Sequence, residues 1–560
     1  MIGCIIGMES RSWERFGVCP RMASLGRGSH HDRTEFIKLY ESTRPVIQGV
    51  AEMEDFMQTY KNPVLYADYS DPDVIRVGED YYMVASSFTY FPGVPLLHSK
   101  DLVHWELINY CVKELPYEKY AVPSHGSGTW APAIRYHDGT FIVFIPLVDE
   151  GILVARSRDP YGEFQLNMLC ERKGWIDSCP FWDDDGKAYM IFAYAGSRAG
   201  VKHRLMVVEI DPDCRELIGE PVLIFDGEQI APTTEGPKMY KKDGYYYVLM
   251  PSGGVENGWQ SCLRSTSVYG PYQYKIVMRQ GNSPINGPHQ GGWITAPDGR
   301  DWFIHFQDVL ELGRIIHLQP MCFVDGWPFM GQDTDGDGIG EPVAEWKMPA
   351  EGMPEYEIAR ADDFSSKNLG LQWQWQANPN SENYSLTAAP GHLRLYCRRN
   401  PDRENLLWYA PNVLTQIPQQ KEFSMIARLE LHGDKNGDFG GIGMVGHSYA
   451  YAGLYQGPDG PELRCYEGTV SEKMFLGEAE EHCVLKAPAA GSSLWLKLSV
   501  SGDKTYQFSW SADGTVFHKL EPVFWLCRAT WTGAKLCLWS CSRENEESAG
   551  YCDYECVLFE

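Results

Sequence analysis

The sequence predicts an all-β protein, a five-bladed β-propeller followed by a β-sandwich, and three observations carry that prediction. A module of two apolar strands joined by an acidic or Asp-Gly turn recurs five times in the first two thirds of the chain. The last third consists of short alternating segments between Gly and Asp turns, with no helix of length evident. At 560 residues the chain is too long for a single ordinary core, so two or more domains are expected.

Residues 1–60 carry no clear structural signal and are set apart as an N-terminal extension. Their opening, MIGCIIGMESRSWERF, has an apolar run too short for a membrane span, and it lacks the basic n-region of a signal peptide. The expected location is therefore cytoplasmic, with secretion left open should the start site be misassigned.

Residues 61–345 hold the repeat. Its copies are DPDVIRVGEDYYMVAS from Asp71, WAPAIRYHDGTFIVFI from Trp130, DSCPFWDDDGKAYMIF from Asp177, EGPKMYKKDGYYYVLM from Glu235 and HQGGWITAPDGRDWFIHF from His289. Counting back eight residues from the first turn residue of each copy lands on Asp71, Trp130, Asp177, Glu235 and Gln290, the last adjacent to His289. HSKDLVHW, RSRDPYGEF and RSTSVYGPY follow three of the hairpins in the same phase, so each unit has at least three strands. Five such sheets, none able to bury both faces alone, imply a propeller closed around a channel.

In that ring the heads of the innermost strands point toward the axis, which would bring Asp71, Asp177 and Glu235 together across sequence distances of 106 and 58 residues. A lone Asp at a strand start more often makes a turn or a cap, but three carboxylates in register weaken that explanation. Cleavage of a glycosidic bond needs one protonated carboxyl group to assist the departing oxygen and one ionised carboxylate on the other side. A third acid nearby raises the pKa of the proton donor.

A Pro-rich, acidic stretch, PVAEWKMPAEGMPEYEIARADDF, follows the repeat, and the linker is placed at 346–359. From 360 to 560, segments such as HLRLYCRR, FSMIARLEL, LWLKLSV and AKLCLWSC alternate as the strands of a sandwich do.

Composition narrows the partners. A formal net charge of -26 argues against nucleic acid and against an anionic membrane surface, and a neutral substrate fits better. Self-association into a homo-oligomer is compatible with the sequence. Sixteen scattered Cys suggest free thiols in a reducing compartment. Cys537 with Cys541 and Cys552 with Cys556 sit at strand spacing and read as core thiols rather than zinc ligands. DTDGDGIGEPV, with Asp333, Asp335, Asp337 and Glu341, imitates a calcium loop but lacks EF-hand spacing, and it reads as a solvated turn. Arg158, Asp159 and Pro160 spell the RDP of five-bladed invertases and levansucrases, yet their phase places them in an outer hairpin.

NPVLYADYSDPDVIRVGEDYYMVASSFTYFPG, WIDSCPFWDDDG, TEGPKMYKKDGYYYV and LGRIIHLQP together resemble glycoside hydrolase family 43 over about residues 62–330. The resemblance implies that Asp71 is the general base, Glu235 the general acid and Asp177 the residue that tunes and orients the acid. It also implies inversion, with the Asp71 and Glu235 carboxyls about 6.5–9.5 Å apart to admit a water. His289 and Arg314 match an axial His and a sugar-contacting Arg, and Phe88 and Trp130 match aromatic walls of the sugar pocket. In some members the His helps to hold a central calcium ion through waters and in others no metal is seen, so no cofactor is required and calcium is optional. One departure is the Ser after Asp177, where relatives commonly have Pro or Ala. The last third resembles the lectin-like (jelly-roll, concanavalin-like) sandwich of family 43 β-xylosidases, which closes one side of the pocket.

The expected activity is exo-acting release of terminal β-D-xylosyl residues from xylo-oligosaccharides or arabinoxylan fragments. Removal of α-L-arabinofuranosyl groups, alone or in the same pocket, is the first alternative. A sugar-binding propeller without catalysis is the second.

Overall fold

The structure, a computed structural model, describes residues 58–399, 406–471, 478–544 and 547–560. The extension read at 1–60 lies outside the described residues up to Met57. Five four-stranded antiparallel sheets, each in simple chain order, make the blades of a propeller. Blade I spans 73–112, blade II 133–170, blade III 175–226, blade IV 238–278 and blade V 289–330. Their innermost strands are Asp73–Val77, Ala133–His137, Trp175–Trp182, Lys238–Lys242 and His289–Thr295. The RDP segment sits between the third and fourth strands of blade II, Gly151–Ser157 and Gln165–Cys170.

Each blade is buried on both faces, which is why its middle strands read as near-continuous apolar runs. Val84 and Phe91 of blade I pack with Val143 and Ile145 of blade II, and Phe144 of blade II packs with Met190 and Phe192 of blade III. Ile191 and Val207 then meet Val248 and Met250 of blade IV, whose Leu249 and Cys262 meet Trp293 and Phe303 of blade V. Val74, Met83 and Leu97 against Ile294, Trp302 and Ile304 complete the circle. At about 1.5–3 kcal/mol per buried large side chain, these five seams hold the ring closed.

Among the described residues, no blade is shared between the two ends of the ring. Instead Thr59–Lys61 pairs with Glu345–Lys347 in a separate two-stranded ribbon. The first described strand thus begins inside the expected extension, and two residues of the expected linker are strand. A partner 286 residues away leaves no local periodicity by which such a short strand could be recognised.

Residues beyond 361 form two stacked seven-stranded antiparallel sheets around one large apolar core that includes Leu393, Met425, Leu454, Leu496 and Tyr554. The sandwich docks on the propeller by main-chain and side-chain bonds. Phe91 and Trp375 exchange N–H···O bonds of 2.9 and 2.6 Å. Asn378 both accepts from Leu115 N–H and donates to Leu115 O. His125 stacks on Trp408 with ring centroids 3.7 Å apart. The fourteen described cysteines are all unpaired thiols. Among the described residues, no helix is long and apolar enough to cross a membrane.

Candidate active site

The three carboxylates expected at the axis sit at equivalent points of three blades. Asp71 lies two residues before its inner strand, Glu235 three before its own, and Asp177 within its strand at a register shift between Ile176 and Cys179. Asp71 and Asp177 both adopt left-handed backbone, with φ of 55° and 57°. Asp tolerates that region better than most residues, and such backbone concentrates where a side chain must be aimed at a site. A second bulge, between His289 and Gly291, explains why the eight-residue count reaches Gln290 rather than His289.

Asp71 is buried and held on both carboxylate oxygens. Ser70 and Ser86 hydroxyls donate to Oδ2 at 2.9 and 2.7 Å, and the Arg314 guanidinium donates to Oδ1 at 3.0 Å. Its orientation is therefore fixed before any substrate arrives. Asp177 accepts the backbone N–H of Gly236 on Oδ2 at 2.7 Å. Burial raises its pKa to about 6 against that bond, with the Asp71 charge adding to the rise. Gly236 has φ of 58°, and a Cβ there would lie 2.8 Å from the Gln290 amide carbon, so the peptide beside Glu235 needs glycine to reach Asp177.

Glu235 is a carboxyl that holds its proton. Burial, then the Asp177 and Asp71 charges, push its pKa well above the ordinary glutamate range, while Arg314 and Lys202 pull the other way more weakly. About a third of its side-chain surface stays open, 32 %, so the carboxyl faces a reachable space. One carboxyl that keeps its proton and another locked by hydrogen bonds are the two halves of acid–base chemistry.

His289 is buried beside them, its Nε2 3.6 Å from Glu235 Oε1, beyond hydrogen-bond length. Burial, then Arg314, lowers its pKa to about 3, so the ring is neutral. Neither ring nitrogen has a protein partner. These orphaned nitrogens suit a water or a water-held cation, but His289 belongs to no cluster of three acidic, Cys or His ligands among the described residues. A cation at the axis would therefore rest on this ring through waters.

Phe88, almost fully buried at φ 52°, and Trp130 meet edge to face with centroids 5.9 Å apart. Trp130 also meets Trp531 of the sandwich at 5.9 Å. The cavity beside Arg314 is bounded on the propeller by Asp308 and Leu310, and on the sandwich by His447, Arg528, Thr530 and Trp531. Beneath it, Asp68 accepts the N–H of Arg314 on Oδ1 and of Gly533 on Oδ2, both at 2.9 Å, with the buried Lys535 as an added counter-charge. A Cβ on Gly533 would stand 2.3 Å from the Leu312 carbonyl carbon, so glycine permits this close approach of the two domains.

All seven residues singled out from the sequence thus surround one region. Asp68, Ser86, Lys202, Arg528, Thr530 and Trp531 were not foreseen. Ser86 and Lys202 lie in loops with no distinguishing pattern, and Trp531 belongs to another domain. Only Gln290 had a signal, its place in the eight-residue count.

Residues 60–328 match the family model Glycosyl hydrolases family 43, and residues 361–560 match Beta xylosidase C-terminal Concanavalin A-like domain. A β-xylosidase of Formosa agariphila is 31% identical over 90% of each chain. A non-reducing end α-L-arabinofuranosidase of Bacteroides ovatus is 30% identical over 60% of this chain and 65% of its own. The crystal structure of the GH43 BlXynB protein of Bacillus licheniformis superposes with a TM-score of 0.77 at 27% identity, covering 90% of this chain and 99% of that one.

Proposed function

Because the chain belongs to glycosyl hydrolase family 43, an inverting family of glycosidases, we propose that it releases single terminal β-D-xylosyl residues from xylo-oligosaccharides or arabinoxylan fragments. In this reading Glu235 is the general acid, Asp71 the general base, and Asp177 tunes and orients the acid. The observation that carries it is the asymmetry between two carboxyls: burial and two neighbouring negative charges keep the proton on Glu235, while Arg314 and two serine hydroxyls hold Asp71 in one orientation.

Glu235 protonates the departing oxygen as the glycosidic bond lengthens, and a water on the opposite face of the sugar passes a proton to Asp71 as it attacks. Arg314, linked to Asp71, binds a sugar hydroxyl, and the Phe88 and Trp130 rings supply apolar faces for the C–H surface of the sugar. The sandwich loop carrying Trp531 walls one side, which favours terminal residues over mid-chain attack. His289 would hold a calcium ion through waters, and such an ion would supply positive charge at the axis.

Removal of α-L-arabinofuranosyl groups in the same pocket is the second reading, supported by the arabinofuranosidase relative from Bacteroides ovatus. We assign the protein to the cytoplasm, a reading supported by its free thiols. Hydrolysis of nitrophenyl β-xyloside and nitrophenyl α-arabinofuranoside by the wild type, Glu235→Gln and Asp71→Asn tests the assignment. A faster xyloside rate, abolished by Asp71→Asn, is expected, and an unchanged rate in that variant would refute the base role; on xylobiose, whose leaving group needs a proton, an unchanged rate in Glu235→Gln would refute the acid role.

A further inference from the structure

We propose that Asp333, Asp335 and Glu341 form a calcium site that clamps the exit of blade V to blade IV, in place of the solvated turn that the local sequence suggests. The three carboxylates offer ligand oxygens that all lie within 4.8 Å of one another. Two of the residues are exposed, as a turn would have them. Glu341 is not: it is 2% exposed, and its Oε1 is a buried oxygen with no hydrogen-bond partner. Its other oxygen has a single neutral donor, the Thr334 hydroxyl at 2.6 Å. A buried carboxylate left half unsatisfied beside two more acids is costly unless a cation completes it.

The protein's own cation does not fill that role. Arg279 bonds Asp337 and stands 3.6 Å from Asp335 Oδ2, and it pairs with neither Glu341 nor Asp333. The loop is shaped around its acids. Asp333 accepts the N–H groups of Gly336 and Gly338 at 2.7 and 3.0 Å, and Asp335 accepts that of Asp337 at 3.2 Å. Gln332 and Glu341 pair across its base. A Cβ at Gly281 would lie 2.6 Å from Glu341 Oε1, so the blade IV exit presses directly on this oxygen.

An all-oxygen, flexible donor set with carboxylates and room for water suits calcium rather than zinc, and it does not impose the rigid octahedron that magnesium demands. The placement gives the ion a structural task. Gly340 accepts from Arg279 N–H and donates to Val277 O, so the loop is stitched to the outer strand of blade IV.

The test uses the full chain stripped with a chelator, with bound calcium counted per chain and thermal unfolding followed with about 1 mM calcium or magnesium chloride. Calcium, not magnesium, is expected to raise Tm by about 2 °C or more. Asp333→Asn combined with Asp335→Asn alters only exposed side chains. It is expected to bind one fewer calcium per chain and to lose that rise while its hydrolytic rate is unchanged. Glu341→Gln is expected to weaken calcium binding at least tenfold. The count separates this site from any ion near His289. An unaltered calcium count and Tm response in the double variant would overturn the proposal, as would a wild type that shows no calcium response.

Discussion

The Gly236 N–H donates to Asp177 Oδ2 at 2.7 Å, so the carboxylate of blade III grips the peptide next to Glu235 rather than the Glu235 side chain itself. Asp177 acts on its neighbour in two separable ways, by fixing the backbone that carries Glu235 and by adding negative charge beside it.

Asp177→Asn separates the two. The amide oxygen can still accept from Gly236, while the charge is gone. As the proposed general acid, Glu235 would work in its protonated form, with activity present below its pKa and lost as pH rises through it. The negative charge of Asp177 helps raise that pKa, and removing it moves the alkaline limb of kcat/KM to lower pH, with a fall of about 10- to 100-fold at the optimum. An alkaline limb that stays in place in a pH–rate profile would count against this role.

Glu235→Gln and Asp71→Asn differ in how their losses depend on the leaving group. A nitrophenolate departs with little protonation, so Glu235→Gln retains most of its rate on nitrophenyl xyloside and falls about 100- to 10,000-fold on xylobiose. Asp71→Asn falls by that amount on both. Comparing kcat/KM across the two substrates decides it, and equal losses in Glu235→Gln would remove it as the acid.

Asp68→Ala leaves two buried N–H groups, of Arg314 and Gly533, without their acceptor. A loss of about 2–4 kcal/mol in stability is expected, with a smaller loss in Asp68→Asn, measured by denaturant unfolding. Because Arg314 also holds Asp71, kcat should fall in the folded variant. Full activity in Asp68→Ala would show that the strut is not needed at the site.

Trp531→Ala removes the sandwich's contribution to the wall beside Trp130. KM for xylobiose is expected to rise about tenfold, equivalent to ~1.4 kcal/mol, with Tm little changed. An unchanged KM would mean that this ring does not meet the sugar.

The ring of blades and its three axial acids were legible because a hairpin fixes the distance from strand head to turn, and five copies of one distance outweigh the ambiguity of any single Asp. The bulge beside His289 shifted the count there by one residue, which is why both His289 and Gln290 stood out, while Asp177 kept its place in the count. Asp68 and Trp531 were not legible. Asp68 meets Gly533 across 465 positions, and Trp531 reaches its wall from a second domain, so neither follows any period in its own neighbourhood. The burial of Glu341 was hidden for the same reason: its pattern is that of a turn, and what covers it comes from blade IV.

The ribbon of Thr59–Lys61 with Glu345–Lys347 leaves the two ends of the catalytic ring as neighbours, with Met348 N–H bonded to Gln58 O at 2.9 Å. Entry and exit therefore share one gate, and neither end is woven into a blade. The order in which the chain visits the blades is then a matter of history more than of mechanics: a gene cut at an outer turn and rejoined across that gate would encode the same five sheets in a rotated order.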